Sequence, residues 1–320
     1  MISYRKYNHL TDYISYKKFA EISWGKGSHQ SSCSFISWLD SNPKHTINLA
    51  FKDDQVCGCF HEFEAPVLHN NEIKYFYSLH DLMVDRDKVS QLGLKLMQDS
   101  ILQDSPVILS GALGRIARAY KRLGSYQFQS HWYRKFIFPR YPMKFFFRNH
   151  SIVKTIQDSM HFSFINNKEQ ESIPNVIKII DSFNYNDQKS MEFFKWRFIQ
   201  KDSPLTFFVS DEDNKNIILF SLGLKKIVPF LRIFSIKKSD DMVIEKMLKS
   251  VEIFASKLGI PVLLYTVTED KSPPKILGYK PYREIPKSYI FSKKEKYYEG
   301  LIINGFSTDL GFNDIALNIK

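Results

Sequence analysis

The sequence predicts an α/β fold of mixed, α+β character, built twice in tandem. Three observations carry this expectation. Phe35-Ile36-Ser37-Trp38, leading through Pro43 into an apolar run at 47–51, recurs as Phe193-Phe194-Lys195-Trp196, leading through Pro204 into 205–209. Further on, Lys121-Arg122-Leu123-Gly124 is answered by Lys275-Ile276-Leu277-Gly278 at nearly the same offset. Finally, a 320-residue chain with 43% hydrophobic and 25% charged residues is long and apolar enough for about two ordinary domains, each with its own core.

The elements of the two copies follow in parallel. A short strand at 2–7 precedes a helix at 11–24, where Tyr13, Tyr16, Phe19, Ala20 and Trp24 recur with helical spacing. The second copy answers with a strand at 162–165 and a helix at 173–183 through Val176, Ile177 and Ile180. Apolar runs at 47–51 and 56–63 around Asp53-Asp54-Gln55 predict a hairpin, and 206–209 with 217–222 its counterpart. A third strand follows at 75–84 or 230–236, then a helix at 92–102 or 242–258, the latter with Gly259 as a C-terminal cap. Buried strands are expected at 107–109 and 262–267. After each comes a Leu-Gly element and a final strand, 132–138 closing the first unit and 288–291 the second. The segment 139–160 has no repeat partner, so the division expected is 1–140 for the first domain, 141–160 for a linker and 161–320 for the second.

No run approaches the roughly 20 apolar residues that cross a bilayer, and residues 1–7 lack a signal peptide's apolar core. A cytoplasmic protein is expected. Cys33, Cys57 and Cys59 make no disulfide framework, which suits a reducing compartment. Cys57, Cys59 and His61 share one face of a regular strand but span about 13 Å along it, too far to converge on one ion. No metal is expected.

The strand end Asp81-Leu82-Met83-Val84, followed by Lys88-Val89-Ser90-Gln91-Leu92-Gly93-Leu94-Lys95-Leu96-Met97, resembles the GNAT family of acyl-CoA-dependent N-acyltransferases. In that family the loop after the fourth strand reads Arg or Gln, two residues, Gly, one residue, then Gly or Ala. Here Lys88 stands at the leading position, Gln91 at the first glycine and Gly93 at the second. Such a loop wraps a pyrophosphate with backbone N–H groups at a helix N-terminus, and glycine permits close approach. Tyr120, four residues before Gly124, matches the family's tyrosine that protonates the departing thiolate. The resemblance covers nearly the whole chain as a tandem pair.

What the resemblance implies is an acetyl-CoA or other acyl-CoA co-substrate held by Met83, Val84, Lys88, Gln91, Leu92, Gly93, Leu94 and Lys95. The amide near Met83-Val84 would polarise the thioester carbonyl, with Asp81 as first choice of base and His80 as second. The acceptor implied is a small amine such as a nucleotide- or lipid-linked amino sugar, as in surface-glycan synthesis. Two alternatives stand beside it: a FemABX-like aminoacyl transferase, and a non-catalytic acyl-CoA-binding or scaffold protein. The second copy has Lys237-Lys238-Ser239-Asp240-Asp241 where the loop would be and Pro274 at the place of Tyr120, so the first copy is expected to hold the chemistry.

The net charge of +11 is uneven, because no Asp or Glu occurs from 105 to 157. Arg115, Arg118 and Arg122 fall on one helical face, suited to the phosphates of coenzyme A or a nucleotide sugar. Interleaved aromatics at 126–136 read as a packed strand rather than a base-stacking platform, which disfavours nucleic acid. Lys144-Phe145-Phe146-Phe147-Arg148 suits a peripheral contact with an anionic membrane.

Overall fold

The computed structural model describes residues 2–85, 92–101, 105–112, 114–128, 131–138, 160–200, 202–225, 228–267, 277–282, 287–292 and 301–303. The chain divides into two compact units, the first containing Met1–Phe128 with Pro286–Ile302 and the second Gln129–Ile285.

In the first unit β1 (Ile2–Lys6) leads into α1 (His9–Trp24), and a short 3-10 turn (His29–Ser31) into α2 (Cys33–Asp40). Asn8 caps α1 by accepting from Leu10 N–H, while the buried Asp12 accepts both Arg5 guanidinium nitrogens at 2.7 and 2.6 Å and Asn8 N–H at 2.9 Å. Arg5 also lies over the Phe51 ring at 4.3 Å, so one cation ties β1, α1 and the second strand together. Trp38 of the repeated motif is buried at the end of α2.

β2 (His45–Lys52), β3 (Gln55–His69) and β4 (Glu72–Val84) form an antiparallel meander. Both turns carry left-handed backbone at their two central residues, Asp53 and Asp54 in one and Asn70 and Asn71 in the other. That is the conformation a two-residue hairpin needs to match strand twist, and Asn and Asp tolerate it best after glycine. α3 (Leu92–Ile101) returns the chain to β5 (Val107–Ala112), parallel to β4. α4 (Gly114–Arg122) ends at Gly124, whose φ of +80° makes it the left-handed stop of the Leu-Gly element. Then comes β6 (Tyr126–Phe128).

The second unit repeats the plan. β8 (Ser163–Asn166), α5 (Ile173–Asp181) and α6 (Gln188–Phe194) lead through a π turn at Lys195–Ile199 that buries Trp196. β9 (Thr206–Ser210), β10 (Ile217–Lys225) and β11 (Val228–Lys237) form the meander, followed by α7 (Asp241–Lys257) and β12 (Val262–Val267). Gly259, at φ +74°, caps α7 as its sequence position predicts. Phe207, Phe220 and Phe254 pack face and edge at the centre of this unit's core.

The final strands differ from expectation. β7 (His131–Phe136) is not the last strand of the first sheet; it pairs antiparallel with β12, placing Tyr133 opposite Tyr265, and its far edge carries β13 (Lys280–Pro281). Conversely β14 (Lys287–Phe291) joins the first unit, between β5 and β6, and β15 (Leu301–Ile302) extends β3. Each copy thus receives its closing strand from the other half of the sequence. The resulting sheets have eight and seven strands. No helix among the described residues is long and apolar enough to cross a membrane.

Gly58 of β3 sits under α3: a Cβ there would come within 2.9 Å of Leu92 Cδ2 and Leu96 Cδ1 and 3.3 Å of Val84 Cγ1. Gly58→Val should overpack this contact and cost about 1–3 kcal/mol in chemical denaturation. Asp12→Ala, which strands Arg5 and Asn8 N–H, should cost about 2 kcal/mol by the same measurement.

Candidate active site

The site is built on an irregularity in β4. Cys59 pairs with Met83, but two positions on His61 pairs with His80, so Asp81 and Leu82 together oppose Phe60. This bulge puts Asp81 at φ +50°, in the left-handed region. The parallel ladder between β4 and β5 ends at the pair Leu79 and Leu109, although β4 runs on to Val84 and β5 to Ala112. Beyond that pair the two strands release each other's edges, and their backbone groups are no longer committed to one another. The second unit has a bulge of the same size. Phe234 alone bulges between the pairs at Leu219 and Phe220, and the β11–β12 ladder ends at Ile233 and Tyr265.

On the face of the first sheet beneath α1, three adjacent strands each contribute a buried histidine: His45 from β2, His61 from β3 and His80 from β4. Their ring centroids are 5.0 to 5.8 Å apart. Tyr16 of α1 hydrogen-bonds His61 Nε2 at 3.0 Å. His80 Nδ1 meets Asp81 Oδ2 at 3.1 Å, and Gln30 Nε2 donates to Asp81 Oδ1 at 3.0 Å. The His80 side chain is wholly buried and that of Asp81 is 14% exposed, so Asp81 is the member of the pair with an open face.

Burial pushes His61 down to about 3, helped by the neighbouring His80, and pushes His45 well below the ordinary histidine value. Both are neutral imidazoles at neutral pH. For Asp81, burial alone would raise the pKa, but the hydrogen bond and charge of His80 outweigh it and hold the carboxyl well below the usual carboxylate range. An ionised carboxylate only accepts hydrogen bonds, so Nδ1 of His80 donates to it.

The other residues singled out by sequence are distributed around this centre. Met83 and Val84 are half-buried at the end of β4. Lys88 and Gln91 lie outside the described residues. Leu92 opens α3 buried, Gly93 is half-buried, Leu94 continues the helix and Lys95 is exposed. A Cβ at Gly93 would meet Leu82 and Val84 at 3.7 and 3.8 Å, ordinary contact distances, so packing within the protein does not require glycine there. Tyr120 is buried on α4, its hydroxyl 3.7 Å from Met97 Sδ and its ring edge-on to Tyr289. It packs in the same cluster as Leu79, on the sheet face opposite His80. Arg115 lies in the first turn of α4, and Arg118 and Arg122 are exposed on that helix. Cys57 departs from the regular strand expected of it. A register shift between Ala50 and Phe51 places it in the cluster with Leu92 and Leu96, away from His61. Gln30, Tyr16 and His45 are members of the site that sequence reasoning did not select.

The corresponding turn of the second unit is already filled by its own side chains. Asn216 Oδ1 accepts from Ser239 N–H and Asp240 N–H at 2.8 and 2.9 Å. Asp240 Oδ1 accepts from Met242 N–H and Val243 N–H at 2.7 and 3.2 Å. The donors that could cradle a phosphate at the start of α7 are therefore satisfied, and Asp240 and Asp241 add negative charge.

No protein-family model matches the chain, and no curated protein matches its sequence. Solved structures do match. Saccharomyces cerevisiae N-myristoyltransferase with bound myristoyl-CoA superposes with a TM-score of 0.60 at 8% identity, over 92% of this chain and 83% of that one. A tandem GNAT protein from the clavulanic acid biosynthesis pathway gives 0.56 at 9% identity, over 91% and 98%. A probable N-acyltransferase from Enterococcus faecalis gives 0.54 at 8%, over 91% and 72%. At this level of identity the likeness is one of fold: the chain is a tandem pair of GNAT folds.

The depressed histidines set a pH dependence. Between pH 6.5 and about 3 the unfolded chain binds a proton at His61 that the folded chain refuses, so stability is complete above pH 6.5 and falls as pH drops through that window. Each such group contributes a slope approaching about 1.4 kcal/mol per pH unit. Urea titrations from pH 7 to 4 should show this slope, and His61→Phe should reduce it by one group's share.

Proposed function

We propose that this chain is an acyl-CoA-dependent N-acyltransferase whose first unit holds the chemistry, transferring an acetyl or other acyl group to a small amine such as a nucleotide- or lipid-linked amino sugar. The observation that carries this reading is the position of Asp81. An ionised, partly exposed carboxylate, fixed by His80 and Gln30, stands in the bulge where β4 and β5 part. The fold is shared with an enzyme solved with myristoyl-CoA bound, which supports a coenzyme A thioester as donor.

The chemistry needs few parts. The amine lone pair attacks the thioester carbonyl carbon, and the carbonyl oxygen gathers negative charge that backbone N–H groups near Met83-Val84 stabilise. Asp81 accepts the amine's proton directly or through one water as the C–N bond forms. The tetrahedral intermediate then expels the thiolate by breaking its C–S bond, and Tyr120 returns a proton to the sulfur. In the free protein that hydroxyl lies 3.7 Å from Met97 Sδ. Lys88, Gln91 and the N–H groups opening α3 would meet the pyrophosphate, while Arg115, Arg118 and Arg122 supply positive charge nearby. The work is assigned to the cytoplasm.

Release of free coenzyme A from acetyl-CoA across a panel of amines tests the reading. Turnover is expected with an amino-sugar acceptor, and Asp81→Asn should lower kcat/KM by about 100-fold or more while acetyl-CoA binding persists. Because Asp81 stays ionised throughout, the rate should show no Asp81 limb between pH 5 and 8. Binding of acetyl-CoA without turnover on any amine would contradict the catalytic reading.

A further inference from the structure

The histidine cluster holds more nitrogen than the protein itself satisfies. Neither ring nitrogen of His45, nor Nδ1 of His61, has a hydrogen-bond partner among the described residues, although all are buried. A neutral imidazole carries one N–H, so His45 keeps one buried donor and one buried lone pair unmatched, which is destabilising. Three features show what would satisfy them. One nitrogen from each of His45, His61 and His80 lies within 4.8 Å of the other two. His80 Nδ1 meets the Asp81 carboxylate, and in the neutral ring this leaves Nε2 as the ligand nitrogen, the carboxylate–histidine arrangement that orients metal ligands. Tyr16 engages His61 at Nε2, and with the hydroxyl as acceptor the lone pair of that ring lies on the unpartnered Nδ1.

We propose that His45, His61 and His80 are the three protein ligands of a divalent transition-metal site of the zinc class, built across β2, β3 and β4 of the first unit. Three neutral imidazoles suit zinc and its neighbours in the first transition row, and three protein ligands leave a fourth position for water or another small donor. Tetrahedral bonds of about 2.0–2.1 Å set ligand nitrogens about 3.4 Å apart, so the rings close inward by about 1 Å or less each on loading. The metal would draw charge from the His80 ring and tighten its hydrogen bond to Asp81, linking the site to the strand bulge. The proposal stands apart from acyl transfer and needs no activity to test it.

Full-length protein stripped with a chelator is titrated with Co(II) and then Zn(II). One equivalent of Co(II) should bind with the strong visible absorption of a low-coordinate cobalt centre, one equivalent of Zn(II) should displace it, and loading should raise Tm. His45→Phe, which keeps the ring's bulk and removes both unmatched nitrogens, should weaken Co(II) binding by more than about 100-fold. The metal-free variant should melt at or above the metal-free parent. His69→Gln, altering a histidine outside the cluster, should bind as the parent does. A parent protein that takes up no Co(II) with visible absorption overturns the proposal, as does absorption that survives His45→Phe; the unmatched nitrogens would then belong to a buried water.

Discussion

The register shift between β3 and β4 is the constraint on which the geometry of the candidate site in the first unit depends. One extra residue opposite Phe60 turns Asp81 into left-handed backbone, brings its carboxylate against His80 Nδ1, and ends the regular ladder where β4 leaves β5. Asp is among the side chains that tolerate that conformation best after glycine, and here two side-chain donors, from His80 and Gln30, fix the carboxylate. The second unit keeps a bulge at the equivalent place but fills it with Phe234, a buried apolar residue. Both units carry the bulge, and only the first sets an acidic side chain, held by His80 and Gln30, in it.

The two copies also differ in what faces the start of the helix after the third meander strand. In the second unit Asn216 and Asp240 occupy four backbone N–H groups between them. A side-chain oxygen tethered within hydrogen-bond reach competes at high effective concentration with any soluble anion, and the carboxylate of Asp240 repels one. This supports the proposal that a donor would bind the first unit, independent of which glycines are present.

Much of the architecture was legible in the sequence because it is set locally. Alternation around Asp53-Asp54, the helical spacing of Tyr13 to Trp24, and Leu-Gly stops at Gly124 and Gly259-type caps each report backbone preferences that act over a few residues. The exchange of closing strands was not legible, because the pairing partner of a strand is set by residues far away in the sequence, and local apolar pattern reports only that a strand forms. The histidine cluster lay between these cases. Counting back from the Asn70-Asn71 turn puts His61 directly opposite His80, and counting from Asp53-Asp54 puts His45 within one residue of pairing with His61, where a bulge shifts it further. Attention to spacing along β3 alone, where Cys57, Cys59 and His61 are too far apart for one ion, missed the shorter path across the strands. Gln30 sits in a single 3-10 turn and carries no periodic signal.

The assignment of the donor site to the first unit is tested most directly by hydrogen–deuterium exchange of the full-length protein with and without acetyl-CoA. Protection of amides in the end of β4 and the first turns of α3, with those from Lys237 to Val243 unchanged, is the predicted result. Protection centred on the start of α7, with β4 and α3 unaltered, would contradict it.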